Sequence, residues 1–145
     1  KIDMPSVLFF LWILLAVGVL NETGLLLQLS SLLKDSLGNV YAINIAIGLL
    51  SAIIDNVPLV AASMGMYEVS PAIVGDAWLD LFVQDGTFWH FLAYTAGTGG
   101  SILIIGSAAG VAVMGIEKIS FTWYLRNIAP WALLGYLAGC AAYVI

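Results

Sequence analysis

Eight residues, Ser51-Ala52-Ile53-Ile54-Asp55-Asn56-Val57-Pro58, set the terms for the whole chain. A long apolar run leads into them and a second leads out, yet their middle holds a carboxylate, an amide and a proline. In a water-soluble protein this would read as an ordinary helix end. Composition removes that option: 62% of the residues are hydrophobic and only 9% charged, where a soluble domain carries about 25% charged residues. Mean hydropathy is +1.06. The class this defines is an integral membrane protein, all-α in architecture. At membrane depth a charged Asp55 costs about 2.5–3.5 kcal/mol on insertion scales, and the rest of the sequence has to account for that cost.

Composition also closes several functional classes. Four Lys and Arg in a chain of net charge −5 cannot follow a phosphate backbone, so nucleic acid is not a partner. One Cys, Cys140, and one His, His90, on different elements support neither a zinc site nor a Ser-His-Asp or Cys-His constellation. The chain is therefore read as neither an enzyme nor a cofactor protein. It begins with Lys1 rather than Met, and Phe9 to Leu20 lacks a small-residue cleavage pattern, so a piece of a longer protein is expected.

Along the chain, 4–20 predicts a spanning helix, followed by the polar break Asn21-Glu22-Thr23-Gly24. Glu22 is open to two readings, a charge near the next helix start or an ion ligand. Residues 23–36, rich in leucine but carrying Gln28, Ser30, Ser31, Lys34 and Asp35, predict a helix lying at the membrane interface. Asn39 to Ile54 is apolar for about 15 residues, ~22 Å of helix, too short for ~30 Å of hydrocarbon. Proline disfavours helix at the residue before it and Asn tolerates left-handed turns. A re-entrant hairpin over 39–67 with Asp55–Pro58 at its tip is therefore expected, a single kinked helix being the alternative. Residues 68–86, with Glu68, Asp76, Asp80 and Asp85 and no base, form an acidic loop. Residues 87–116 predict a broken helix, its middle being Thr95-Ala96-Gly97-Thr98-Gly99-Gly100-Ser101, and 121–145 a closing span. Lys118 and Arg126 flank one loop and place it in the cytoplasm, with Lys1 inside and the acidic loop outside. Gly106 to Gly110 and Gly135 to Gly139 are small-xxx-small faces for close helix packing, a homodimer being a second use.

Irregular backbone survives at membrane depth only inside protein or beside a water-filled cavity. Both breaks lie between half-length helices, whose ends and unwound carbonyls suit small ions. Candidate ion-binding residues are Ser51, Asp55 and Asn56 at the first break and Thr95, Gly97, Thr98, Gly99, Gly100 and Ser101 at the second. The glycines free the backbone and the hydroxyls add oxygen. A glycine-rich crossing of packed helices is the structural alternative. Asp55 is the candidate proton-coupling group. His90 reads as an interfacial or packed histidine.

At these breaks the sequence resembles the ion transporter superfamily of secondary carriers, and is most similar to the NhaD-type sodium/proton antiporters. The residues that carry the resemblance are Ser51-Ala52-Ile53-Ile54-Asp55-Asn56-Val57-Pro58-Leu59-Val60-Ala61-Ala62, the run from Thr95 to Ala108, and Trp123-Tyr124-Leu125-Arg126 leading into the final helix. The resemblance implies a larger carrier of two inverted repeats, this chain being the C-terminal one, with the N-terminal repeat and the lipid bilayer as its partners. It implies exchange of Na⁺ or Li⁺ for H⁺ across a bacterial-type inner (plasma) membrane. Dicarboxylate carriers of the superfamily use a Ser-Asn-Thr tip. Here an acid stands first, which favours a cation. An anion, arsenite or dicarboxylate carrier and a membrane subunit that only packs against partners are the competing readings.

Overall fold

The computed structural model describes residues 4–145, and Lys1, expected on the inner side, lies outside them. Among the described residues the chain is all-helical, with one isolated bridge between Ser70 and Val83. Helix α1 spans Met4–Glu22 and α2 spans Leu25–Leu37. Gly24, at φ 73°, turns the chain between them by 73°. α2 turns Leu26 into the core and leaves Leu25, Leu27 and Asp35 exposed. The ammonium of Lys34 stands 4.8 Å from the ring centre of Trp78 in the acidic loop. Gly38, at φ 61°, closes α2 by donating its N–H to the Lys34 carbonyl, the usual left-handed helix end.

Helix α3, Val40–Leu50, starts at Asn39, whose side chain accepts the Tyr41 N–H at 2.8 Å. The chain leaves helical geometry after Leu50 and re-enters it as α4, Asn56–Met66. Pro58 sits in the first turn of α4, where its missing N–H has no helical partner to lose. The acidic segment folds against the ends of these helices through a short 3₁₀ turn, Leu79–Phe82. Asp80 accepts the N–H groups of Val74 and Gly75, and Asp76 those of Trp78 and Leu79.

Helix α5, Thr87–Gly99, is the centre of the molecule. Phe88 and Phe91 on it are fully buried. Tyr41 meets Phe91 near the starts of α3 and α5, and Ser51 reaches the Ala96 carbonyl near their ends, so the two helices run parallel. α4 runs the opposite way: Asn56 lies beside Gly100, while Tyr67 packs on Phe88 with ring centres 4.8 Å apart. Between lipid-facing helices the drive to associate is close packing rather than water exclusion. The α3–α5 crossing follows that rule, with Gly48 against Gly99 and Thr95.

After α5 the chain runs through an irregular stretch, including a 3₁₀ turn at Ile104–Gly106, into α6, Ala108–Ile116. Ser107 caps α6 by accepting the Gly110 N–H at 3.0 Å. The interruption of the 87–116 segment thus begins at Gly100, inside the hydroxyl-glycine run, and extends beyond it to Ser107. Thr95 to Gly99 stay helical, with Thr95 and Gly99 at the crossing with Gly48. The closing segment is likewise two helices, α7 at Phe121–Asn127 and α8 at Ala129–Val144, meeting at 51°. Pro130, in the first turn of α8, cannot donate to the preceding helix, which ends α7 there. Among the described residues no single helix is long and apolar enough to cross a membrane. Two bent pairs are, by length and composition: Leu11–Glu22 with Leu25–Leu37, and α7 with α8. Exposed apolar side chains run along α1 and α8, among them Trp12, Leu14, Trp131, Leu134 and Leu137, as in a protein whose solvent is partly lipid.

Candidate functional site

The parallel course of α3 and α5 brings their C-terminal ends to one end of the molecule, and the reversal into α4 adds its N-terminus there. Helix C-termini carry partial negative charge and N-termini partial positive charge. The chain between α3 and α4 is held in this setting by a few specific contacts. Ser51, fully buried, has its hydroxyl 2.5 Å from Asn56 Oδ1 and 2.8 Å from the Ala96 carbonyl. That one hydroxyl ties the tip to itself and to α5. Its single proton is shared between the two acceptors, so the hydroxyl bridges the tip and α5.

Two glycines let the irregular stretch approach this tip. A Cβ on Gly100 would stand 2.7 Å from Asn56 Oδ1 and 2.9 Å from the Gly106 carbonyl. A Cβ on Gly106 would stand 2.6 Å from the carbonyls of both Ser51 and Ala52 and 2.7 Å from that of Gly100. The carbonyl oxygens of Ser51, Ala52 and Gly100 therefore converge on one small region. Among the described residues none of the three accepts a backbone hydrogen bond. Asp55 is half-buried, at the N-cap of α4, and its carboxylate makes no capping hydrogen bond.

The tip thus brings Ser51 and Asn56 against Ala96, Gly100 and Gly106, with Asp55 next to Asn56 in the chain. The other candidates take different positions. Thr95 is fully buried, but its hydroxyl turns back to the Leu92 carbonyl at 3.3 Å, and that of Thr98 to the Tyr94 carbonyl at 2.7 Å. Such back-bonding satisfies a hydroxyl inside its own helix. Gly97 is exposed, with open space where a Cβ would lie. Gly99 is used for packing on the Gly48 carbonyl. Ser101 is exposed, and its carbonyl accepts the Tyr124 hydroxyl at 2.7 Å. Glu22 is exposed at the end of α1, next to the Asn21 that borders Gly65, so it lies toward the end of α4 opposite the tip. His90 is exposed on α5, near its start. Among the described residues no group of His, Cys, Asp and Glu could hold a metal ion by side chains alone.

Sequence reasoning passed over Gly48 and gave Ala96, Gly106 and Tyr124 no role at the site. Gly48 offered one signal, a lone glycine in an apolar helical run, which often marks a close helix crossing. Ala96 acts through its backbone carbonyl, which leaves no trace in residue type. Tyr136 was also missed: its buried hydroxyl donates to the Ile45 carbonyl at 2.8 Å and fixes α8 to α3.

Comparison with known proteins places this arrangement in context. The chain is 51% identical over 144 residues, 99% of its length, to sodium/proton antiporter 1 of Arabidopsis thaliana, and covers 23% of that protein. It is 46% identical over 144 residues to sodium/proton antiporter 2 of the same plant, covering 32% of it. It is 35% identical over 145 residues to the Na⁺/H⁺ antiporter NhaD of Alkalimonas amylolytica, covering 27% of it. The chain thus spans between about a quarter and a third of the length of these relatives. No family model matches the chain. No solved structure matches it.

Proposed function

As a chain homologous over nearly its whole length to sodium/proton antiporters, the NhaD type among them, this protein is one in which, we propose, the tip around Asp55 takes part in exchanging Na⁺ or Li⁺ for H⁺ across a membrane. The observation that carries the reading is the convergence on one region of the Asp55–Asn56 tip, two helix C-termini and the carbonyls of Ser51, Ala52 and Gly100. Oxygen donors, negative helix ends and one carboxylate suit a small hard cation. The carbonyls, the helix C-termini and the carboxylate do not suit an anion, and among the described residues no Lys or Arg stands at the tip. In this reading Asp55 and Asn56 supply side-chain oxygens and the Gly100 region supplies the wall. Ser51 acts by fixing the tip, and Thr95, Thr98 and Gly99 by packing behind it.

The exchange logic follows from the two partners a carboxylate can take. A carboxylate held away from water is costly while charged and unpaired. One positive partner relieves that cost, and a proton and a cation are alternatives for the same oxygen atoms. Entry of Na⁺ expels the proton and entry of H⁺ expels the cation, so one group couples the two flows. The helix–tip–helix over 39–67 is proposed to be re-entrant, with both outer ends on one membrane side. The chain is proposed as the C-terminal repeat of the carrier, completed by an inverted N-terminal repeat and seated in the bilayer. A bacterial-type inner (plasma) membrane is the proposed setting.

The test is Asp55→Asn in the full-length carrier reconstituted in vesicles. Asn keeps the size and one ligand oxygen but takes up no proton. The variant is expected to insert and fold yet lose Na⁺-driven proton movement. Exchange at the parent rate with the parent pH dependence would reduce Asp55 to a structural tip residue.

A further inference from the structure

The irregular stretch Gly100–Ser107 is held from two sides. On one side the tip presses against it through Asn56, Ser51 and Ala52. On the other, Tyr124 of α7 reaches across and donates its hydroxyl to the Ser101 carbonyl at 2.7 Å. That carbonyl belongs to the peptide joining Ser101 to Ile102, whose N–H donates to the Gly99 carbonyl at 3.0 Å. The peptide is therefore pinned at both ends, and Tyr124 is one of the two pins. Gly100 precedes this peptide directly and forms the wall at Asn56 Oδ1.

The Tyr124 side faces open space. A cavity of about 400 Å³ lies elsewhere, under the acidic loop; the one here, about 300 Å³, is lined by Gly100, Ser101, Ile104, Ser107, Gly110 and Tyr124 among others. Packing on that flank leaves the peptide room to turn, whereas on the tip flank Gly100 and Gly106 already sit too close to Ser51, Ala52 and Asn56 to admit a methyl group. The hydroxyl of Tyr124 opposes the turn together with the Ile102 N–H bond to the Gly99 carbonyl. It comes from a short helix fixed at its start by Ser120, which accepts the Trp123 N–H at 3.2 Å, so it is delivered by an element outside the tip and the stretch it restrains.

We propose that Tyr124 is a positioning residue for the cation site: its bond to the Ser101 carbonyl sets the Gly100 wall against the Asp55–Asn56 tip and thereby the cation affinity of the carrier. This rests on the antiport reading above. Tyr124 itself touches no transported ion. Its hydroxyl acts through the Ser101–Ile102 peptide and Gly100.

The experiment compares the full-length carrier with its Tyr124→Phe and Tyr136→Phe variants in vesicles, reading proton movement against external Na⁺ and thermal unfolding with and without Na⁺. Tyr124→Phe keeps the ring and loses one hydrogen bond, an interaction of ordinary strength. The half-saturating Na⁺ concentration is expected to rise about five- to tenfold, with the maximal rate within about twofold of the parent. The Na⁺-induced rise in unfolding temperature is expected to shrink in parallel. Tyr136→Phe keeps the ring in its cluster with Ala52 and Ile102 and removes only the buried bond to the Ile45 carbonyl of α3, none to the tip or to Gly100–Ser107, and is expected to lower the unfolding temperature while leaving half-saturation unchanged. A Tyr124→Phe carrier with parental half-saturation overturns the proposal. So does one whose maximal rate falls at unchanged half-saturation, since that is the mark of a merely structural residue. If the parent exchanges no Na⁺ and gains no stability from it, the antiport reading falls and this proposal with it. Exchange that is lost in Asp55→Asn but parental in Tyr124→Phe leaves the reading standing and removes the proposal alone.

Discussion

Gly99 shows how one residue serves packing where its neighbours suggested flexibility. A methyl group at Gly99 would be driven into the backbone carbonyl of Gly48, and one at Gly48 would stand 2.7 Å from both Cβ and O of Thr95. Backbone atoms cannot swing aside as a side chain does, so the helices would have to part. Gly99→Ala is expected to destabilise the protein by about 1–3 kcal/mol, the usual range for overpacking, seen as a lower unfolding temperature in detergent. Gly97 is the matched control: its surroundings are open, and Gly97→Ala in mid-helix is expected to be neutral or to stabilise by up to about 1 kcal/mol. Equal effects at both positions would remove the α3–α5 crossing as the reason for these glycines. The sequence displays Gly97, Gly99 and Gly100 as equivalents. Three-dimensional neighbours make the first idle, the second a packing contact and the third a wall of the candidate site.

Among the elements, the acidic loop is legible as a solvated segment but not as an ordered one. Asp76 accepts hydrogen bonds from the N–H groups of Leu79 and Trp78, which hold its carboxyl below the ordinary carboxylate value. A group whose value is depressed by folding adds stability that is present above its unfolded value and lost as pH falls through the folded one. The turn at Trp78 and Leu79 is therefore expected to keep slow amide exchange from neutral pH down past the ordinary carboxylate range and to loosen only in stronger acid. Asp76→Ala is expected to exchange rapidly there at every pH. Protection lost already near the ordinary carboxylate value would show that Asp76 does not hold the turn. The loop is also tied to α2 by Lys34 over Trp78, a pairing between residues more than 40 positions apart that no local pattern announces.

At the scale of the whole molecule, the antiparallel course of α4 against α3 and α5 makes a definite topological statement. If the 39–67 segment is re-entrant as proposed, exposed residues at its two outer ends share one membrane side. Cysteines placed at Asn39 and Glu68, both exposed, are expected to react with a membrane-impermeant thiol reagent from the same side of oriented vesicles; reaction from opposite sides would mean a kinked span instead. What the sequence determined by itself was set by chemistry that acts wherever the chain goes. Its apolar composition pointed to the membrane, and Asp55, Asn56 and Pro58 marked a break close by, although the structure puts that break at Ser51–Asp55 and Asn56–Pro58 in the first turn of α4, where a missing donor costs nothing. The two polar interruptions, the amphipathic 23–36 stretch and the acidic loop could be read for that reason. Only the tertiary structure decided where the second interruption falls, which glycines pack and which line the tip, and that Tyr124 reaches Ser101. Those outcomes depend on which backbone meets which across distances of 20 to 90 residues, and a carbonyl or a missing methyl group acquires its role only from the neighbour it meets.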